Sequence, residues 1–365
     1  MSPALITGPG SFAQLGEATR RLGLTHVLVV ADRGIRAAGY VDAALGYLTA
    51  AGVSASTFHD FAENPTSPMV EAGRLAAAPL GIDGIVGIGG GSSLDCAKGI
   101  NFVLTNGGTM ADYRGYGKAS RPLMPLVAVP TTAGTGSEAQ SYALISDPVT
   151  HEKMACGDPK AMAAVAILDP TLTVSQPAGV AAAAGYDAMA HAVETWVTTR
   201  RTVESEAHSR AAWELLSRNY ERVLSHPGDI AAREAMLLGA HRAGAAIELS
   251  MLGATHACAN ALTALYGTGH GLAIGLMLRH VVAWNAEGSD AIASRYRDLD
   301  ADLVGVLTRL AAVGGIPPGL ALAGARREDE ARLVALAAAQ WTGTFNPRPF
   351  DAEGARTLFE RAWQP

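Results

Sequence analysis

Asp83-Gly84-Ile85-Val86-Gly87-Ile88 runs without interruption into Gly89-Gly90-Gly91-Ser92-Ser93-Leu94-Asp95, and on through Ala97, Lys98 and Ile100. The first six positions read as a buried strand, the glycines as a tight turn, and the remainder as the opening of a helix. Glycine permits backbone angles that strain other residues and lets a phosphate approach the main chain. The free N–H groups at the helix start then face the anion, which the helix dipole favours. The G-x-G-x-x-G fingerprint is not completed, because Ser92 stands where the third glycine would fall. On its own the turn either cradles a phosphate or simply joins strand to helix.

The segments on either side repeat the same rhythm. Residues 26–31 (His-Val-Leu-Val-Val-Ala) form an apolar run suited to a strand buried on both faces. A helical stretch follows at 37–51, and a second strand at 53–58. The next helix has Ser67 as a cap and Pro68 in its first turn. With 83–88 as the third strand and 123–129 as the fourth, the pattern predicts a doubly wound parallel sheet of Rossmann-like type. Asp32 ends the first strand, where a carboxylate either binds a ribose diol or forms a turn before Arg33-Gly34. The hydroxyl-rich loop from Thr131 to Glu138 follows the fourth strand directly, at the edge where such sheets bind ligands.

Beyond Pro177 the texture changes. Stretches 180–198, 203–224, 230–249 and 252–265 are rich in Ala and Leu at helical spacing. The division expected is an α/β domain over 1–177 and an all-helical domain over 178–365, closely packed, with a ligand in the cleft between them.

Asp187 and His191 lie four apart in one of these helical stretches, so they share a face. Such a pair serves as a local hydrogen bond or as half of a metal site. His256 sits among small residues on another predicted helix, and His270 stands between two glycines after that helix ends. One carboxylate and three imidazoles make a four-coordinate set suited to Zn²⁺ or Fe²⁺ rather than Mg²⁺ or Ca²⁺. His208, His241 and His280 read as ordinary surface or core histidines.

Composition narrows the function classes. A net charge of −6 with no basic block gives no reason to expect nucleic acid or an anionic membrane as partner. Three cysteines without a C-x-x-C spacing argue for a reducing compartment. No signal-peptide pattern or membrane span is read; the most tempting stretch, 161–167, is short and flanked by Lys160 and Asp169. A cytoplasmic location follows as the expectation.

Taken together, a series of ordered motifs resembles the iron-containing (group III) alcohol dehydrogenase family. They are Gly8-Pro9-Gly10-Ser11-Phe12, Asp32, Glu63-Asn64-Pro65-Thr66, Gly89-Gly90-Gly91-Ser92 and the segment from Pro130 to Glu138. Then come Ala166-Ile167-Leu168-Asp169-Pro170, Gly185-x-Asp187-Ala188-x-x-His191-Ala192-x-Glu194, His256 with His270, and Asn346-Pro347-Arg348-Pro349.

The resemblance implies the two-domain architecture of the dehydroquinate synthase-like superfamily and an enzyme that interconverts small or medium primary alcohols and aldehydes with NAD. It implies one divalent metal, Fe²⁺ or else Zn²⁺, held by Asp187, His191, His256 and His270 and polarising the alcohol or carbonyl oxygen. It assigns the cofactor to Asp32, Asn64, Gly89, Gly90, Gly91, Ser92, Asp95, Thr131, Thr132, Thr135 and Lys153, with Asp32 favouring NAD over NADP. It implies a homodimer and no catalytic side chain beyond the metal centre. Many relatives carry a further His where Asn260 lines the site here, and amide cannot shuttle a proton as imidazole does. Ile247 would widen the substrate pocket and Glu248 add a carboxylate. A glycerol-type polyol dehydrogenase is the alternative within the superfamily, where a metal-independent maleylacetate reductase is disfavoured by the full ligand set. A dehydroquinate synthase-like lyase is the alternative from another class, disfavoured by the scarcity of Lys and Arg in the motifs.

Overall fold

A computed structural model describes residues 2–150 and 152–363. They fall into two compact units dividing between Gln176 and Pro177.

Among its described residues the first unit contains nine strands: β1 (Ala4–Thr7), β2 (His26–Val30), β3 (Ser54–Phe58), β4 (Gly84–Gly89), β5 (Gly115–Tyr116), β6 (Leu126–Pro130), β7 (Tyr142–Ser146), β8 (Lys153–Gly157) and β9 (Val165–Leu168). Its helices are α1 (Leu15–Arg21), α2 (Arg33–Ala37), α3 (Tyr40–Ala50), α4 (Ser67–Ala77) and α5 (Gly91–Asn106). Six strands form one parallel sheet in the order β1-β9-β6-β4-β2-β3. Alternate residues leave opposite faces, and both faces are covered. Leu28, Val30, Ile85 and Leu126 join Ile100 and Phe102 on one side, while Val27, Val29, Val86 and Val127 join Leu15, Val41 and Leu48 on the other. That double burial is why the strands read as unbroken apolar runs.

The chain order reverses beside β4: β2 and β3 lie on one flank of it, and β6 and β9 on the other. The carboxyl ends of β2 and β4 therefore flank a topological switch point, the favoured ligand position in open α/β sheets.

Several expectations shift. The stretch read as one helix from 37 breaks at Gly39, whose left-handed φ of 82° separates α2 from α3. Ser67 is the first residue of α4 rather than its cap; Thr66 occupies the cap position without a capping side-chain bond. The apolar run 161–167 ends in β9. A second sheet, β5-β8-β7, was not anticipated. The motif at 8–12 meets the motif at 166–170 through Asp169, whose carboxylate accepts the N–H groups of Gly10 (3.1 Å) and Phe12 (2.9 Å). These two motifs hold the sheet edge together.

The second unit is helical among its described residues: α6 (Ala178–Val197), α7 (Val203–Ser225), α8 (Ile230–Leu249), α9 (Ala254–Tyr266), α10 (His270–Gly288), α11 (Asp290–Leu299), α12 (Leu303–Val313), α13 (Glu330–Ala338) and α14 (Ala352–Trp363). Small residues permit its close packing. A Cβ on Gly185 would meet Met236 at 2.8 Å and Tyr220 at 2.9 Å. From Gly185 to Val197 every residue of α6 is buried, so a polar side chain there needs a partner. No helix among the described residues is long and apolar enough to cross a membrane.

Candidate functional site

In the first unit the residues proposed for a cofactor gather at the start of α5. Gly89 has φ 142°, and a Cβ there would lie 2.4 Å from Ser93 Oγ. Gly90 and Gly91 face the loop after β6: an added Cβ would stand 3.2 Å from Thr132 Cγ2 and 2.6 Å from Thr135 Cγ2. The glycines thus allow the hydroxyl-rich loop to lie against the helix start, and Thr131 N–H donates to Gly89 O at 3.0 Å. Asn64 is, among the described residues, the one non-glycine in the left-handed region (φ 53°), and its N–H donates to Ser92 Oγ at 3.1 Å. Asp32 caps α2 through Oδ1, which accepts Ile35 N–H at 2.9 Å, while Oδ2 accepts the Ser93 hydroxyl at 3.1 Å. The turn-forming reading of Asp32 therefore holds, and the same side chain sits beside the glycine turn.

Asp95 is buried one turn into α5. Burial raises its carboxyl, opposed by the charges of Lys98 and Lys153 and by the Ser137 hydroxyl donating at 2.8 Å. Lys153 opens β8 and is thereby within electrostatic reach of Asp95. Lys98 was not singled out by the sequence, yet it is buried. Its Nζ donates to Ser137 O (2.6 Å), Ser137 Oγ (3.0 Å), Gln140 O (2.7 Å) and Tyr142 O (2.9 Å).

In the second unit three helices bring the four metal-site candidates to one point. Asp187 and His191 project from the buried half of α6, His256 from the first turn of α9, and His270 opens α10. Asp187 Oδ1 lies 3.4 Å from His191 Nε2, 3.6 Å from His256 Nε2 and 3.6 Å from His270 Nε2. His191 Nε2 and His256 Nε2 are 3.1 Å apart. Asp187, His256 and His270 have donor atoms all within 4.8 Å of one another.

These spacings fit a metal. A tetrahedral site with bonds of about 2.0–2.1 Å has ligand atoms about 3.3–3.4 Å apart. Asp187 Oδ1 is buried with no hydrogen-bond partner among the described residues, although three ring nitrogens face it. Burial alone would raise the Asp187 carboxyl, but His191, His270 and His256 hold it well below the usual range. Burial likewise opposes a charged His256, yet Glu194 and Asp187 pull its pKa up to about 9. The cluster attracts positive charge. Asp187, His191 and His256 side chains are about 5% exposed and His270 is 23%, so the approach from outside is on the His270 side.

Local sequence explains the convergence. Gly271 lets α10 start against α6, since a Cβ there would be 2.4 Å from Ala183 O. His256 Nδ1 bonds Glu194 Oε2, and Glu194 Oε1 accepts Thr255 N–H at 2.7 Å. Asn346 Oδ1 accepts the neighbouring Ala254 N–H at 3.2 Å. The sequence reading gave neither Glu194 nor Asn346 a role. The spacing Asp187, His191, Glu194 (i, i+4, i+7) was the available signal, since all three share one helix stripe.

Asn260 lies one turn after His256, and its Nδ2 donates to Gln340 Oε1 at 3.2 Å. Ile247 is buried and Glu248 half-buried at the end of α8. His208 lies against Arg242, with Nδ1 and NH1 3.4 Å apart. Cys258 is buried and its thiol raised by burial, as expected of an unreactive packing residue.

The chain matches the family model for iron-containing alcohol dehydrogenase over residues 2–170 and the C-terminal model of the same family over 181–363. It is 32% identical over 373 residues to the NAD-dependent methanol dehydrogenase of Bacillus methanolicus, covering 99% of this chain and 98% of the relative. It is equally 32% identical over 371 residues to the 1,3-propanediol dehydrogenase of Klebsiella pneumoniae, covering 98% and 96%. A solved structure of a 1,3-propanediol oxidoreductase superimposes with a TM-score of 0.94 at 31% identity, covering 100% of this chain and 99% of the other.

Proposed function

The chain belongs to the iron-containing alcohol dehydrogenase family, and we propose that it interconverts small or medium primary alcohols and aldehydes, using NAD and one divalent metal ion. The observation that carries this reading is the convergence of three imidazole nitrogens on the buried Asp187 Oδ1.

Asp187, His191, His256 and His270 would hold the ion, with Fe²⁺ favoured by the family and Zn²⁺ compatible with the same donors. When bound, the ion supplies Lewis acidity toward the alcohol or carbonyl oxygen and the nicotinamide supplies the hydride acceptor. The chain supplies the positions. The glycines at 89–91 and the helix start of α5 would receive the pyrophosphate, with N–H groups facing it. Asp32, held at the end of β2 by Ser93, would meet the adenosine ribose and repel a 2′-phosphate. Asn64, Ser92, Asp95, Thr131, Thr132, Thr135 and Lys153 would line the rest of that site. Asn260 places an uncharged amide one turn from His256, so no proton shuttle resides at that position. A homodimer and a cytoplasmic location belong to the same proposal and rest on the family.

Metal analysis of the purified protein, paired with NAD reduction by a primary-alcohol panel before and after chelation, tests the reading. The expected result is about one metal per chain, with activity lost on chelation and restored by Fe²⁺ or Zn²⁺. Activity persisting in metal-free protein would remove the electrophile from the scheme. Turnover confined to polyols or secondary alcohols would overturn the substrate class.

A further inference from the structure

We propose that Glu194 is the positioning residue of the metal centre: its two carboxylate oxygens hold the start of α9 and, at the same time, fix His256 with its proton on Nδ1, so that Nε2 is free to ligate. The inference rests on the metal reading above and assigns a function to a residue outside the four ligands.

Glu194 is buried and shares α6 with Asp187 and His191. Its Oε2 bonds His256 Nδ1 and its Oε1 accepts Thr255 N–H at 2.7 Å. Gly253, at the cap position of α9, offers no capping side chain, so the first free N–H groups depend on distant residues. Glu194 takes Thr255 N–H, and Asn346 takes Ala254 N–H. Asn346 is fixed in turn: its Nδ2 donates to Asn285 Oδ1 at 2.7 Å and to Arg348 O at 2.7 Å. The Asn346-Pro347-Arg348-Pro349 segment thereby acts as a clamp on the helix that carries His256.

A neutral imidazole carries one proton, and the nitrogen opposite that proton is the one that ligates. A carboxylate oxygen facing Nδ1 keeps the proton there, so that Nε2, 3.6 Å from Asp187 Oδ1, is the nitrogen that ligates when a metal takes the place of its proton. Such outer carboxylates fix ring orientation and raise ligand basicity. Two donors converge on Glu194, and the carboxylate offers an oxygen to each. An amide has one oxygen, which in the place of Oε1 or of Oε2 faces one of these donors and not the other. In E194Q, either the amide nitrogen faces His256 Nδ1 and forces the proton onto Nε2, or it faces Thr255 N–H and releases the helix start.

The test uses Co²⁺ titration of metal-free full-length protein, read by visible absorption and by competition with a chromophoric chelator, alongside the Tm of the metal-free form. E194Q should fold with a metal-free Tm within a few degrees of wild type and bind Co²⁺ about 10- to 100-fold more weakly. Wild-type affinity in folded E194Q, with or without a lowered Tm, would reduce Glu194 to a helix cap and overturn the proposal. If E194Q does not fold, E194D keeps a carboxylate but shortens it by one methylene. Weaker binding by folded E194D supports the role, and unchanged binding overturns it. Failure of wild type itself to bind Co²⁺ would refute the metal reading instead.

Discussion

The Ser93 hydroxyl donates to Asp32 Oδ2 at 3.1 Å, joining the helix that follows β4 to the carboxyl end of β2 across the switch point of the sheet. Asp32 Oδ1 simultaneously caps α2. One side chain therefore has a structural duty and, in the proposed function, a selective one.

Asn caps helices about as well as Asp, so D32N separates the two duties. The cap on Ile35 N–H is retained while the charge that repels a 2′-phosphate is removed. The ratio of kcat/KM for NADP to that for NAD should rise at least about tenfold, equivalent to about 1.4 kcal/mol, with little change in Tm. An unchanged ratio would assign Asp32 to turn formation alone.

Legibility in the sequence followed burial only in part: β3, buried only at Phe58, was read as a strand, whereas the fully buried β9 was seen only as an apolar run. The strands β2, β4 and β6 were readable because sheet packing on both faces demands unbroken apolar runs. The second sheet was not, because β7 and β8 mix buried with part-exposed residues in no steady alternation and the two residues of β5, Gly115 and Tyr116, are both exposed. β1 was missed for the same reason, its burial being slight. Asp187 and His191 were visible as an i, i+4 pair, but only tertiary packing of α6, α9 and α10 brings His256 and His270 to them. Lys98 and Glu194 were illegible as buried groups because their acceptors and donors lie 39 to 44 and 61 to 62 residues away.

Gly271 sets how closely the His270 end of α10 approaches α6. The atom a Cβ would meet at 2.4 Å is the backbone oxygen of Ala183, which cannot rotate away as a side-chain tip can. G271A should cost about 1–3 kcal/mol by overpacking and weaken metal binding by shifting His270. Urea unfolding of metal-free protein and metal titration read the two effects separately. Wild-type values in both would show that the helices separate without consequence.

His280 gives an acid-side dependence of stability. Burial, aided by the positive charges of Arg279 and Arg361, lowers its pKa from 6.5 to about 4, and its Nε2 has no hydrogen-bond partner among the described residues. Between those values the unfolded chain binds a proton that the folded chain refuses, so stability falls as pH drops from about 6.5 to about 4. Below the folded pKa the penalty is constant. H280M removes the titrating group, and its unfolding free energy should decline less steeply than wild type across that window. Parallel declines would place the acid sensitivity elsewhere.

Lys98 bears on both stability and the proposed cofactor loop. Its buried ammonium donates to three main-chain carbonyls, those of Ser137, Gln140 and Tyr142, and to Ser137 Oγ, whose own proton goes to Asp95. K98M keeps the stem but strips the charge from these acceptors and leaves Asp95 to the counter-charge of Lys153. Breaking a buried charge arrangement by removing one partner costs about 3–5 kcal/mol, so a comparable loss in urea unfolding is expected. The loop at 131–140 would also lose its anchor beneath α5, and KM for NAD should rise by more than kcat falls. If stability drops while KM for NAD is unchanged, Lys98 supports the core alone. If neither changes, the acceptors find water or other partners, and the anchoring role fails.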